Sequence, residues 1–181
     1  MRNNKKEDIM RAAYELFLAN GYDNAPMKEI AARAGTPPSH IYNFFESKED
    51  LFVAVLRMAQ DSFLSKMIVV AEECGEASPE EYATRTVDAI QANRDEAVLI
   101  ISSVLTPKLR AKVEPLLKEY SYDIVGVMSL LFPGVSDELL YKIGNILLAL
   151  SDSLLIDGNK ERAVDSAVFA MELFKHYLNE G

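Results

Sequence analysis

Residues 34–45 read AGTPPSHIYNFF, and a chain otherwise patterned for helices must stop and restart within them. Upstream, Ile9, Ala12, Ala13, Leu16 and Phe17 recur at i, i+3, i+4, i+7 and i+8. That is one apolar stripe of an α-helix, and Gly21 supplies the left-handed residue that commonly ends one. Ile30, Ala31 and Ala34 repeat the stripe in miniature before Gly35. SHIYNFF is too short to stand as a free helix and needs packing, with Ile41 and Phe45 four apart and facing inward. Thr36 precedes a proline, which pushes it towards the extended dihedrals of an N-cap. Pro37 or Pro38 then takes the first helical position, where a missing N–H costs nothing.

Helix, sharp turn, short helix is the helix-turn-helix arrangement, whose second helix enters the DNA major groove. An ordinary helix–helix corner has the same outline. The formal charge of −9 argues against wholesale nucleic-acid binding, but it is unevenly placed. Residues 1–50 carry seven Lys/Arg against eight Asp/Glu, and residues 51–181 carry twelve against twenty. The acidity therefore belongs to the larger C-terminal part, while Arg2, Lys5 and Lys6 form a basic arm. The single cysteine, Cys74, permits no intramolecular disulfide. MRNNKKEDIM lacks the apolar core of a signal peptide, and ILLALSDSLLI is broken by Asp152 and too short to span a bilayer. The expectation is a cytoplasmic protein with no membrane partner.

AAYELFLANGYDNAPMKEIAARAGTPPSHIYNFFESKEDLF resembles the DNA-binding head of TetR-family (tetracycline-repressor-like) transcriptional regulators, over roughly residues 5–53. The resemblance is carried by the Ala-Ala-x-x-Leu-Phe stripe, Gly21-Tyr22, Ile30-Ala31 with Ala34-Gly35, Tyr42, Phe45, Ser47-Lys48-Glu49 and Leu51. It implies an all-α fold with a three-helix helix-turn-helix head at residues 1–47. A long fourth helix would join the head to a helical ligand-binding and dimerisation domain at residues 48–181, about nine helices in all. It implies that Thr36, Pro38, Ser39, His40, Tyr42, Asn43 and Lys48 meet double-stranded DNA, Tyr42 and Lys48 on phosphates. Ser39, His40 and Asn43 would then be the base-reading set. Two departures stand out. Pro26 replaces the threonine or serine that caps helix 2 in the family and touches a phosphate, and the usual basic residue and glycine are absent from Pro37-Pro38-Ser39.

Each residue also has a plainer role. Tyr42 could pack its ring on helix 1, and Lys48 could be solvated, although a cation in a first helical turn opposes the helix dipole. Asn43 can pair bidentately with adenine or be plain surface. Phe44 is either a contact to a thymine methyl or core. His40 has no Cys, Asp or second His near it in sequence to make a metal site.

The remainder reads as helices. Ser47 and Asp50 fit an N-terminal capping pattern, Ser78-Pro79-Glu80-Glu81 is a capping box, and DEAVLIISSVL is apolar nearly all round and expected to be buried on several sides. Pro115 is expected to kink or divide the helix after Thr106-Pro107. Ser136 would cap the helix that follows. Leu140, Leu147 and Leu154 in one late helix, and Ala167, Met171 and Phe174 in the last, form long apolar faces. The family resemblance implies that they join two copies into a homodimer. Polar residues within apolar faces mark a candidate ligand site: Tyr82, Thr86, Ser102, Ser103, Tyr120, Asp123, Asn145 and Asp152. No nucleophile elbow, phosphate loop or H-E-x-x-H occurs, so neither an enzyme nor a cofactor is expected. The implied function is a dimeric repressor released from a palindromic operator by a small hydrophobic ligand. The alternative is a dimeric DNA-binding protein controlled by a protein partner, or with no small-molecule ligand.

Overall fold

The stripe Ile9, Ala12, Ala13, Leu16 and Phe17 is buried on one side of the first helix, as its spacing requires. The computed structural model describes residues 2–74, 78–146 and 158–180. Among them the chain forms α1 (Arg2–Asn20), α2 (Met27–Arg33), α3 (Pro38–Ile41), α4 (Lys48–Glu73), α5 (Pro79–Ala92), α6 (Arg94–Leu105), a 3₁₀ turn (Pro107–Leu109) and α7 (Arg110–Leu131). Residues 137–146 form α8, and Lys160–Glu180 form α9. The described residues contain no strand. None of their helices is long and apolar enough to cross a membrane.

The chain divides into two compact units. The first comprises Met1–Asp61 and Val98–Leu117, so it is discontinuous in sequence. Its core joins the α1 stripe, Ile30 and Ala31 of α2, and Ile41, Phe45, Leu51, Phe52, Val55 and Leu56. Leu99, Leu109, Val113 and Leu116 are buried in the same cluster. Phe17, Tyr22 and Phe52 make an aromatic cluster, with the Tyr22 and Phe52 rings edge to face at 5.3 Å. Two aromatics of the first unit thus lock the α1–α2 corner onto the start of α4.

The second unit comprises Ser62–Ala97 and Lys118–Gly181. Its core gathers Ala71, Cys74, Tyr82, Val125, Val127, Met128, Phe132, Leu140, Ile143 and Met171. α5 lies along α9, with the Lys160 ammonium on the Asp88 carboxylate. Gly144 lets α8 approach α7 closely, since a Cβ there would stand 2.9 Å from Ile124 Cγ2.

Capping follows the sequence at two helices. Ser47 Oγ accepts from Asp50 N at 3.1 Å, and Ser78 Oγ accepts from Glu81 N at 3.1 Å. Ser136 meets α8 through its carbonyl, which accepts from Leu139 and Leu140. Two expectations are narrowed. Pro115 does not divide its helix, because α7 runs unbroken from Arg110 to Leu131 with the proline near its start. The α6 segment is buried or half-buried on several sides from Ala97 to Ser103, and only its C-terminal end opens, with Val104 half exposed and Leu105 mostly exposed.

Candidate nucleic-acid interface

The turn between α2 and α3 is built from backbone chemistry. α2 ends with Ala34 N donating to Ile30 O at 2.9 Å and Thr36 N donating to Ala31 O at 3.0 Å. Gly35 makes that closure possible by taking φ +60°, which side-chain-bearing residues rarely adopt. Lys5 Nζ then donates to the carbonyls of Ala34 and Gly35, both at 3.4 Å. A cation from the first helix thereby satisfies the negative end of α2.

The restart falls one residue later than Thr36 predicts. Pro37 is the N-cap of α3, at φ −62° and ψ 146°, and Pro38 is the first helical residue. The physical reason is that a proline before a proline is doubly held: its ring sets φ and the next ring forces ψ extended. No side chain caps α3. The Thr36 hydroxyl lies 3.3 Å from His40 Nδ1 instead. At α2, Pro26 is likewise an extended N-cap without a side-chain bond, as its lost hydroxyl dictates.

α3 is short, but its pattern of helical bonds continues to Phe45, whose N–H donates to Ile41 O at 3.0 Å. Ile41 and Phe45 are buried and hold this stretch on the core. Pro38, Ser39, His40, Tyr42 and Asn43 are all exposed, and Thr36 is half-buried. Tyr42 is 55% exposed, so its ring is not packed into the core. Phe44 is half-buried against the core cluster. Ser39, His40 and Asn43 fall at i, i+1 and i+4, on one side of the stretch.

Lys48 opens α4 and is half-buried. Its ammonium sits 4.4 Å from the Tyr22 ring centroid and donates to Asp23 O at 3.4 Å. Burial holds its pKa below the ordinary lysine value, against the pull of Asp23 and Glu49. The Tyr22 hydroxyl donates to Glu49 Oε1 at 2.8 Å. Burial and that carboxylate push the Tyr22 phenol well up, and the same bond holds Glu49 below the usual carboxylate range. Two lysines distant in sequence complete the cluster. Lys108 Nζ meets Asp23 Oδ1 at 2.9 Å, and Lys112 Nζ meets Asp50 Oδ1 at 2.6 Å. Lys112 and the Ser47 hydroxyl keep Asp50 below its ordinary pKa. No group of three or more His, Cys, Asp or Glu suited to a metal occurs among the described residues.

This geometry coincides with a family pattern. Residues 9–55 match the model of bacterial regulatory proteins of the tetR family. Residues 9–55 are a TetR-family region. It is 39% identical over 64 residues to the HTH-type transcriptional activator FasR of Mycolicibacterium smegmatis, a match covering 35% of this chain and 29% of that regulator. The chain spans less than half the length of the curated relatives it matches. Solved TetR-like structures share the fold along nearly the whole chain. A transcriptional regulator from Rhodococcus superposes with a TM-score of 0.74 at 18% identity, covering 93% of this chain and 94% of that one. FadR from Bacillus subtilis, solved with stearoyl-CoA, superposes with a TM-score of 0.65 at 20% identity, covering 92% and 96%.

The ligand and dimer residues expected of a TetR-family chain are placed unevenly. Tyr82 and Tyr120 are buried in the second unit's helices, and burial pushes the Tyr82 phenol up to about 12. Ser102 and Ser103 donate to the carbonyls of Leu99 and Ile100 in their own helix, at 2.9 and 2.6 Å. Thr86 is half-buried, whereas Asp123 and Asn145 are exposed. Asn145 turns back to the carbonyl of Tyr141. Asp152, Leu147 and Leu154 lie outside the described residues. Leu140 and Met171 are buried within the chain's own core, and Ala167 and Phe174 are half-buried. Phe169 and Leu173, four apart on α9, are 68% and 53% exposed. Sequence reading missed them because it followed only the α9 face that carries Ala167, Met171 and Phe174. It missed Lys108 and Lys112 because nothing local ties them to residues 23 and 50.

Proposed function

We propose that this chain is a dimeric DNA-binding transcriptional repressor of the TetR family, not an enzyme, and that it leaves a palindromic operator when a small hydrophobic ligand binds. The observation that carries the reading is the exposed set Ser39, His40, Tyr42 and Asn43 on a short helical stretch whose Ile41 and Phe45 are anchored in the core. An anchored helix with polar side chains outward suits insertion into a major groove. Residues 1–47 serve as the reading head and residues 48–181 as the sensing and dimerising part. Tyr42 and Lys48 take phosphates, while Ser39, His40 and Asn43 face base edges. Thr36 and Pro38 flank the groove at the entry to α3.

Dimerisation falls to α9, where Phe169 and Leu173 leave an apolar strip uncovered on the single chain. Two heads then read two half-sites related by the dimer axis. The ligand is hydrophobic, and support comes from the fold shared with FadR, which was solved with stearoyl-CoA. Tyr82 is buried in the second unit's apolar cluster and Tyr120 is buried in α7, and polar groups on an apolar lining are the usual make-up of a small-molecule site. A ligand releases DNA only by favouring the non-binding form, by about 1–3 kcal/mol in typical cases.

The test is a titration of the protein on a duplex it has itself retained from a random pool, with stearoyl-CoA, fatty acids and hydrophobic cations added in turn. The account expects one class both to raise the melting temperature and to lower DNA affinity. If none does both, the ligand part fails while the DNA-binding part stands.

A further inference from the structure

Two cations outside the helix-turn-helix converge on the acids that flank Lys48. Lys108 and Lys112 are four residues apart where the 3₁₀ turn runs into α7. Between and beside them, Leu109 and Val113 are buried in the first unit's core, which fixes the backbone from which the two lysines reach. Lys108 holds the Asp23 carboxylate at 2.9 Å, while the main-chain oxygen of that same Asp23 accepts from Lys48 at 3.4 Å. Lys112 holds Asp50, two residues beyond Lys48. Asp23 and Glu49 are the acids whose charges act on Lys48, and Lys108 is the cation that opposes them. The occupied partners are specific: Glu49 has Tyr22, Asp50 has Ser47 and Lys112, and Asp23 has Lys108.

We infer that Lys108 is a positioning residue for DNA binding, keeping the Asp23 carboxylate off Lys48 so that its ammonium remains open to a backbone phosphate. The inference rests on the reading of Lys48 as a phosphate contact. Asp23 is the acid that decides. Lys48 already touches its carbonyl, so a rotation of the Asp23 side chain brings the freed carboxylate onto the same ammonium. A phosphate would then compete with an intramolecular carboxylate for that cation. Lys108 prevents this by occupying the carboxylate first. Because Lys108 belongs to the Val98–Leu117 segment, any withdrawal of that segment from the head would free Asp23 and quench Lys48. DNA affinity is thereby tied to a stretch of chain outside the helix-turn-helix.

The experiment measures affinity for one labelled duplex, retained by the wild-type protein from a random pool, at low salt. Lys108→Ala is expected to weaken binding about two- to fivefold, the range of an exposed ion pair, and Lys108→Arg to preserve it. Adding Asp23→Asn to Lys108→Ala should restore affinity, because no carboxylate remains to swing onto Lys48. Adding Glu46→Gln, the same charge change on a nearby acid outside these pairs, should restore markedly less. In a Lys48→Ala background, Lys108→Ala should have no further effect. Equal rescue by Asp23→Asn and Glu46→Gln would overturn the proposal in favour of general charge. Additive losses with Lys48→Ala would overturn it in favour of Lys108 as a phosphate contact of its own. A wild-type protein that retains no duplex would sink the DNA-binding reading and this inference with it. A protein that binds DNA with no loss in Lys48→Ala would sink this inference alone.

Discussion

The Tyr22 hydroxyl donates to Glu49 Oε1 at 2.8 Å, tying the corner after α1 to the first turn of α4. The ring beneath that hydroxyl carries the Lys48 ammonium on its face. One tyrosine therefore holds both the acid and the cation with which α4 begins.

Tyr22→Phe removes the hydrogen bond and leaves the ring contacts with Phe17 and Phe52 in place. The expected cost is about 1 kcal/mol in urea unfolding. Tyr22→Ala also empties the aromatic cluster and should cost about 3–5 kcal/mol. Equal losses in the two variants would show that the ring contributes nothing.

Acid sensitivity follows from Glu49 and Asp50, both held below the ordinary carboxylate range by hydrogen-bonded partners. A depressed folded-state value contributes stability above the unfolded value of about 4 and loses it as pH falls through the folded one. The melting temperature should therefore fall along that limb. Asp50→Asn should lower it at neutral pH and flatten the acid limb. A variant that keeps the wild-type slope would remove Asp50 from the linkage.

The α9 face separates assembly from folding. Phe169→Glu and Leu173→Glu change exposed residues, so each chain should stay folded by circular dichroism and sediment as a monomer. Met171→Glu places a charge in the core of the second unit and should unfold it. Folded dimers from Phe169→Glu and Leu173→Glu would put the interface elsewhere.

Lys48→Ala should weaken binding to every duplex alike and make the dependence of log affinity on log salt shallower by about one unit. An unchanged slope would mean that the ammonium stays with Tyr22 and Asp23 in the complex.

Much of the head was legible in the sequence because its signals are local. The α1 stripe, the reversal at Gly35 and the Ser47 cap each depend on residues within a few positions, and each appears where the spacing puts it. The identity of the α3 cap was misplaced by one residue, because two consecutive prolines can share the extended-then-helical role and only their dihedrals distinguish them. What stayed hidden was long-range. Leu109, Val113 and Leu116 look like any apolar helix face, yet they complete the core of the head. Their burial there depends on a chain return that no short window records. Phe169 and Leu173 were obscured differently: α9 is apolar on more than one side, and only the fold separates the side it buries from the side it leaves open.

The most direct measurement is selection of duplexes from a random pool by the wild-type protein and by Asn43→Ala, with the retained sequences read out. The account predicts an inverted repeat for the wild type. In the variant it predicts the same repeat with relaxed preference at one position per half-site, a loss of about 1–3 kcal/mol of discrimination there. An unenriched wild-type pool, or identical motifs from the two proteins, would contradict it.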